Sequence, residues 1–259
     1  MNEFKNLTLV VLASTELDSL KQTIRLLLEN CAAEDIAEVM IFLISADCPS
    51  AAVAAEIIET HQYPVPIRSC VQQMPGMSPA VYEILQQIGN CSHLLIIGSD
   101  LEMDPLSVPA LIQTAKAHPN AIVCASKFQK GAHRESYGGF HYLCNRAVNF
   151  AVERILHIRG TELISTFQVY PVSLCEKMKF TNPDRTFYEY TIRPLARGEE
   201  YIELPTNYKP RLQGASNFNP RKYIDLGVTF ILTALDERKR LKAEAKAQKR
   251  REKNDRKQS

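Results

Sequence analysis

After His93 the chain runs Leu94-Leu95-Ile96-Ile97 without a polar residue, then turns abruptly to Gly98-Ser99-Asp100-Leu101-Glu102-Met103-Asp104-Pro105. An apolar run of this length, bounded by turn residues, reads as a strand buried on both faces. A buried strand cannot carry unpaired carboxylates, so the three acids belong where the strand leaves the sheet. In an open α/β sheet that carboxyl edge is where ligands bind. Acids clustered there are hard oxygen ligands suited to Mg²⁺ or Mn²⁺, usually shared with substrate phosphates. Asp104, directly before Pro105, is better read as an Ncap–N1 pair opening a helix. Asp100 and Glu102 do not stand at a cap position, and a metal-ligand role is the stronger reading for them.

Strand-like runs alternate with helical patterns through the first half. Strands are expected at Leu7 to Leu12, Val39 to Ile44, Pro66 to Val71, Leu94 to Ile97 and Ala121 to Ala125. Helical spacing of apolar residues fills Leu17 to Leu28, Ala51 to Ile58, Pro79 to Ile88 and Pro105 to Ala117. This alternation predicts an α/β fold, a mostly parallel sheet flanked by helices. The second half is less regular. Lys127 to Gly139 reads as a loop, Phe140 to Ile158 as a helix, and Thr161 to Tyr170 as a polar-aromatic segment. Phe187 to Ala196 reads as a helix stopped by Gly198, Tyr201 to Leu204 as a short strand, and Tyr208 to Pro220 as a basic loop. Tyr223 to Leu235 is an apolar helix, followed by a tail that is helical or disordered.

Composition narrows the class. The chain has 259 residues and 45% hydrophobic content, enough for one large core-bearing domain. Its seven cysteines form no C-x-x-C pair, so neither a zinc site nor a disulfide framework is indicated, and a reducing cytoplasm is expected. The first thirty residues do not resemble a signal peptide, and no apolar run reaches the ~20 residues needed to span a bilayer. The six histidines show no metal spacing; His133, in the loop after a core strand, is the one with a functional reading.

Charge is divided unevenly. Residues Asp236 to Ser259 hold eleven Lys or Arg against five Asp or Glu, a surplus of six. Against a whole-chain charge of +2, this leaves residues 1–235 at −4. An apolar helix followed by a basic segment can lie on an anionic bilayer; the alternative is a core helix running into a solvated tail. Nucleic-acid binding fits less well, because the body is acidic and the tail lacks aromatic residues. The expected organisation is a domain over 1–220, an apolar helix over 221–236 and a basic tail over 237–259.

Six segments, in order, resemble a family 2 glycosyltransferase of the GT-A fold, and most of all the dolichyl- or polyprenyl-phosphate mannosyl- and glucosyltransferases. Val10-Val11-Leu12-Ala13-Ser14-Thr15-Glu16 resembles the family's V-V-I-P-T-Y-N-E, and Gly76-Met77-Ser78-Pro79-Ala80 its G-x-G-x-A. Gly98 to Pro105 resembles D-A-D-L-Q-x-x-P, and Glu162 to Tyr170 resembles D-x-x-S-G-F-R-x-Y. Glu189, Gly198 and Glu203-Leu204-Pro205 resemble E-(x)8-G…E-V-P, and Arg211 to Asn217 resembles R-x-x-G-x-S-K.

The resemblance implies transfer of a hexose from a nucleotide sugar, GDP- or UDP-linked, to a polyprenyl phosphate or another envelope glycan acceptor. A divalent cation held by Asp100 and Glu102 would bridge to the donor diphosphate. Glu16 and Asp47 would face the nucleoside. Arg211, Gly214 and Ser216, with Lys209 nearby, would meet phosphate, with Arg211 catalytic alongside Asp100. Lys127, Arg134, Gln168 and Tyr170 would line the acceptor side. A lipid phosphate needs no general base, whereas for a hydroxyl acceptor Asp104 and Glu189 are the carboxylates to test. For Glu16, an acid in a first helical turn is an equal reading.

The chain also departs from the pattern. Gly98 stands where the family has the first acid of D-x-D, Ala13 replaces a proline, Gln168 an arginine and Asn217 a lysine. Leu43-Ile44-Ser45-Ala46-Asp47 stands in place of D-D-G-S. Two explanations stay open: a repositioned metal site using Glu102, or a non-catalytic relative that binds a nucleotide or a partner.

Overall fold

A computed structural model describes residues 3–135, 138–209 and 220–258. The strands are β1 (Leu7–Ala13), β2 (Ile36–Leu43), β3 (Ile67–Val71), β4 (His93–Gly98), β5 (Ile122–Ser126), β6 (Gln168–Pro171) and β7 (Tyr201–Pro205). Among the described residues they form one sheet in the order β3-β2-β1-β4-β6-β5-β7. Every pairing is parallel except those of β6, which runs antiparallel between β4 and β5. The expected mostly parallel α/β architecture is therefore present.

Side chains of the central strands alternate between two cores, because successive residues of a strand point to opposite faces. Leu9 and Val11 of β1, with Leu95 and Ile97 of β4, pack under α1 (Asp18–Asn30), α2 (Pro49–Thr60) and α4 (Val108–Ala117). Val10, Leu94 and Ile96 face α3 (Met77–Gln87), α5 (Gly139–Leu156) and α7 (Thr186–Ala196). Burial on both faces is why the centres of these strands, Leu9 to Ala13 and Leu94 to Ile97, are continuous apolar runs.

The order of the strands positions the site. From β1 the chain steps outward to β2 and β3, then crosses back to β4 on the other side of β1. The connections leaving β1 and β4 diverge there and open a crevice at their carboxyl ends. Register places Leu12 opposite Gly98 and Ala13 opposite Leu43, so three strand ends reach the same edge.

Two short elements lie where no regular structure was expected. β6 occupies the end of the polar-aromatic segment, and α6 (Val172–Met178) follows it directly. The C-terminal apolar helix and the tail form one element, α8 (Pro220–Gln258), 39 residues long and unbroken across 236/237. The division between apolar helix and basic tail is thus one of composition within a single helix. Among the described residues no helix is long and apolar enough to cross a membrane. All seven cysteines are free thiols.

Candidate functional site

The crevice is a pocket of about 280 Å³ at the carboxyl ends of β1, β2 and β4. Its walls are apolar: Leu12 and Ala13 from β1, Phe42 and Ile44 from the end of β2, Met77 and Ala80 from the start of α3. Ile44 and Met77 are 52% and 47% exposed, large apolar side chains left open to solvent at this mouth. Its polar atoms come from Ser14, Glu16, Gln72, Ser99 and Asp100. Apolar walls with a few polar groups among them suit a ligand with an apolar body and polar edges.

Asp100 sits on that rim, two residues beyond the end of β4. Its Oδ1 accepts the Glu102 backbone N–H at 3.1 Å, closing a tight turn across Leu101, whose φ is +60°. Ser99 anchors the turn to β1, donating from both N–H and Oγ to the Leu12 carbonyl at 3.0 and 2.7 Å. Glu102 is half-buried on the same turn. Among the described residues no three His, Cys, Asp or Glu side chains gather into a metal cluster. Asp100 and Glu102 put two carboxylates on one turn, hard oxygen donors of the kind a Mg²⁺-type ion shares with ligand phosphates and water.

Glu16 also lines the pocket, and its geometry answers the two sequence readings. It precedes α1 and bends back, its Oε2 accepting the N–H groups of Ser14 and Thr15 at 2.7 and 2.9 Å. It caps the end of β1 instead of occupying a first helical turn. Asp47 is exposed in the loop after β2, outside the pocket lining, with its carboxyl held below the usual range by the Ser45 hydroxyl. Asp104 is the cap that its position predicts: its Oδ1 accepts the Leu106 N–H at 3.1 Å, and its Oδ2 accepts from the Asn207 amide at 3.2 Å.

The strand β7 returns the chain to the acid turn. The Lys209 N–H donates to the Glu102 carbonyl at 2.9 Å, and Tyr208 pairs with both Met103 and Arg134. The chain entering the basic segment therefore lies against the turn that carries Asp100. Arg211, Gly214 and Ser216 lie outside the described residues.

Four expected acceptor-side or acid groups are placed differently. Gln168 is fully buried and donates from Nε2 to the Thr191 hydroxyl at 3.0 Å. Tyr170 is fully buried and stacked on Tyr190, ring centroids 4.2 Å apart. Both belong to β6, so they fill the core instead of lining an acceptor site. Lys127 is buried with its Nζ 2.8 Å from Glu162 Oε2. Burial raises the Glu162 carboxyl pKa, against the pull of Lys127. Glu189 is buried on α7 and paired with Arg193, with Arg185 and Arg240 within 3.9 and 3.6 Å. It clamps α8 to the body. Arg134 stays at the surface, donating to the Lys127 carbonyl, and His133 is exposed beside it.

The sequence reading missed the pocket's apolar walls. Ile44 and Met77 read as ordinary strand and helix residues, and only their exposure at the crevice separates them from the core. Gln72 ties the β3–α3 loop to the Gly76 carbonyl at 2.8 Å, and Glu83 accepts the Gln73 and Met74 N–H groups at 2.8 and 2.7 Å. Gly76 adopts φ +112°, a conformation that glycine reaches readily, and it opens α3 at the pocket floor.

No protein-family model matches the chain. Solved structures share its fold. Glucosyl-3-phosphoglycerate synthase from Mycobacterium tuberculosis in complex with phosphoglyceric acid superimposes with a TM-score of 0.63 at 14% identity, covering 90% of this chain and 80% of that one. The same enzyme with Mn²⁺, uridine diphosphate and glucosyl-3-phosphoglycerate gives 0.62 at 13% identity over 90% and 80%. Its complex with Mn²⁺, uridine-diphosphate-glucose and phosphoglyceric acid gives 0.63 at 13% over 90% and 79%. The chain has the GT-A fold that the sequence segments implied.

Proposed function

We propose that the protein is a metal-dependent glycosyltransferase that moves a hexose from a nucleotide diphosphate sugar to a polyprenyl phosphate or another envelope glycan acceptor. The observation that carries this reading is the apolar pocket at the β1/β4 switch point with Asp100 on its rim. The complexes of the synthase with Mn²⁺ and uridine-diphosphate-glucose support it by fold.

In this reading the base lies between the Ile44 and Met77 walls, with Glu16 fixing the β1 end beside it. Asp47 lies at the outer edge of the nucleoside side. Asp100 and Glu102 would hold Mg²⁺ or Mn²⁺, which would supply positive charge against the leaving diphosphate. Arg211 and Ser216 follow Lys209 in sequence and complete the phosphate contacts. An acceptor phosphate oxygen attacks the sugar C1 as the C1–oxygen bond to the diphosphate breaks, and the bonding pair leaves with the diphosphate. Configuration inverts. No proton is removed from the acceptor, so no catalytic base is required. Orientation and electrostatics carry the rate.

The test is calorimetric titration of UDP and of GDP into the purified protein, with and without Mn²⁺, followed by transfer assays with lipid-phosphate acceptors. Metal-dependent binding of one nucleotide, lost in Asp100→Ala, is the expected result. A folded protein that binds neither nucleotide overturns the reading. Gly98 in place of an acid favours a second reading, nucleotide binding without transfer, whose mark is metal-dependent binding with no turnover on any donor.

A further inference from the structure

Among the described residues, the exposed large apolar side chains of α8 are Ile224, Val228, Leu232 and Leu235, spaced four, four and three apart. That spacing keeps them on one side of the helix. Continuing it gives Lys239, Lys242, Lys246, Lys249 and Lys253, with Arg250 alongside, all exposed. The last five of these cations flank a common groove on one face. One stripe along a single helix thus passes from apolar to cationic. At about 1.5 Å per residue, its cationic part from Lys239 to Lys253 spans about 21 Å.

Three acids of α8 reach toward the body, Asp236 while also lying 3.9 Å from the Lys239 Nζ. Asp236 pairs with Arg185 at 2.8 Å, Glu237 with Arg197, and Glu244 with Arg197 at 3.1 Å. Phe230, Ala234 and Glu237, on that same inward side, are buried against the body. The ion pairs fix the rotation of the helix and leave the stripe on the opposite side. Beside it, α5 packs against α8 and exposes Leu143 and Phe150, with Arg154 5.1 Å from the Phe150 ring.

We propose that this stripe docks the protein on an anionic lipid surface. The apolar half inserts among the acyl chains just below the headgroups, and the cationic half lies along the phosphates. Charge selects this occupant. A second copy meeting the stripe would set Lys against Lys, and the cationic half has no apolar heptad for a coiled coil. A nucleic acid would leave Ile224, Val228 and Leu232 with no counterpart. The inference stands on the helix alone, so it and the sugar-transfer reading can fail separately.

The test is co-sedimentation of the full-length protein with vesicles of phosphatidylcholine alone, and of phosphatidylcholine and phosphatidylglycerol in equal parts. Binding to the anionic vesicles only is expected, and it should weaken in about 1 M salt, where the Debye length shrinks to about 3 Å. Each surface cation contributes about fivefold, so the triple variant Lys246→Gln, Lys249→Gln, Lys253→Gln should bind about a hundredfold more weakly. Leu232→Asp should also weaken binding. Both variants lie on exposed positions, and circular dichroism should show their helix content unchanged. The proposal is overturned by no binding to anionic vesicles, by binding that survives the triple variant, or by a stripe-dependent dimer in light scattering. Stripe-dependent binding to duplex DNA that is tighter than binding to the vesicles overturns it equally.

Discussion

The Asp100 carboxylate folds back over Gly98 so closely that a Cβ added there would stand 3.1 Å from Asp100 Oδ1. The position that departs most plainly from the D-x-D pattern is therefore also the position that makes room for the acid that remains. With no side chain at residue 98, Asp100 can close its turn onto the Glu102 N–H while staying on the pocket rim. A Cβ at 98 requires the Asp100 carboxylate to give way by a few tenths of an ångström.

Gly98→Ala is expected to weaken metal-dependent nucleotide binding by up to about tenfold, or about 1.4 kcal/mol, because the Asp100 carboxylate must shift from its place over residue 98. Stability should hardly change. Gly98 is not among the glycines at positive φ, so alanine suits its backbone, and Gly→Ala at compatible sites is neutral or mildly stabilising. Titration calorimetry of wild type and variant, with whichever of UDP or GDP binds, checks this. Unchanged affinity would show that the carboxylate does not need its present orientation.

Lys127 and Glu162 join the end of β5 to the segment before β6, and both are buried. Removing one partner leaves the other charge buried and unpaired, which costs about 3–5 kcal/mol. Lys127→Met is therefore expected to lower stability by that amount in urea unfolding. Lys127→Met combined with Glu162→Leu should recover most of the loss, because replacing both charges removes the desolvation cost as well. If Lys127 instead served the acceptor, the single variant would stay stable and lose only transfer.

What the sequence showed well is what burial imposes on composition. β1, β2 and β4 are covered on both faces, so each carries an apolar run, Leu9 to Ala13, Val39 to Leu43 and Leu94 to Ile97, and the acids after Ile97 had to mark the sheet edge. The errors have a common origin in long-range partners. Gln168 and Tyr170 look like site residues because polar and aromatic side chains in sequence suggest binding. Their partners Thr191 and Tyr190 come twenty or more residues later, and those contacts turn them inward. Glu189 is similar in part: beside its local pair with Arg193 it is approached by Arg240, on a helix whose position only the fold reveals. β6 itself is four residues long, too short for any period to register. The pocket walls were invisible for the opposite reason. Ile44 and Met77 follow the apolar pattern, and what singles them out is their exposure at the crevice.

His93 provides a test of the fold that does not depend on the site. It opens β4 fully buried, its Nε2 3.1 Å from the Pro119 carbonyl and its Nδ1 3.0 Å from the Ser92 hydroxyl. The Phe4 ring lies against it, centroids 4.7 Å apart. Burial pulls its pKa from 6.5 down to about 4, partly opposed by the Pro119 carbonyl. The folded state thus holds His93 neutral where the unfolded chain already binds a proton. Stability is then complete above pH 6.5, falls as the pH drops below it, and levels off near 4, where the folded form protonates too. The loss over that window should be roughly 3 kcal/mol by linkage. Carboxylates titrate in the lower part of the same range, so the comparison is with His93→Gln, in which they remain. Urea unfolding at pH 7 and at pH near 4 should show the wild type losing roughly 3 kcal/mol more than the variant. Equal losses in the two proteins would mean that His93 is protonated in the folded state, and that the strand end admits water at its base.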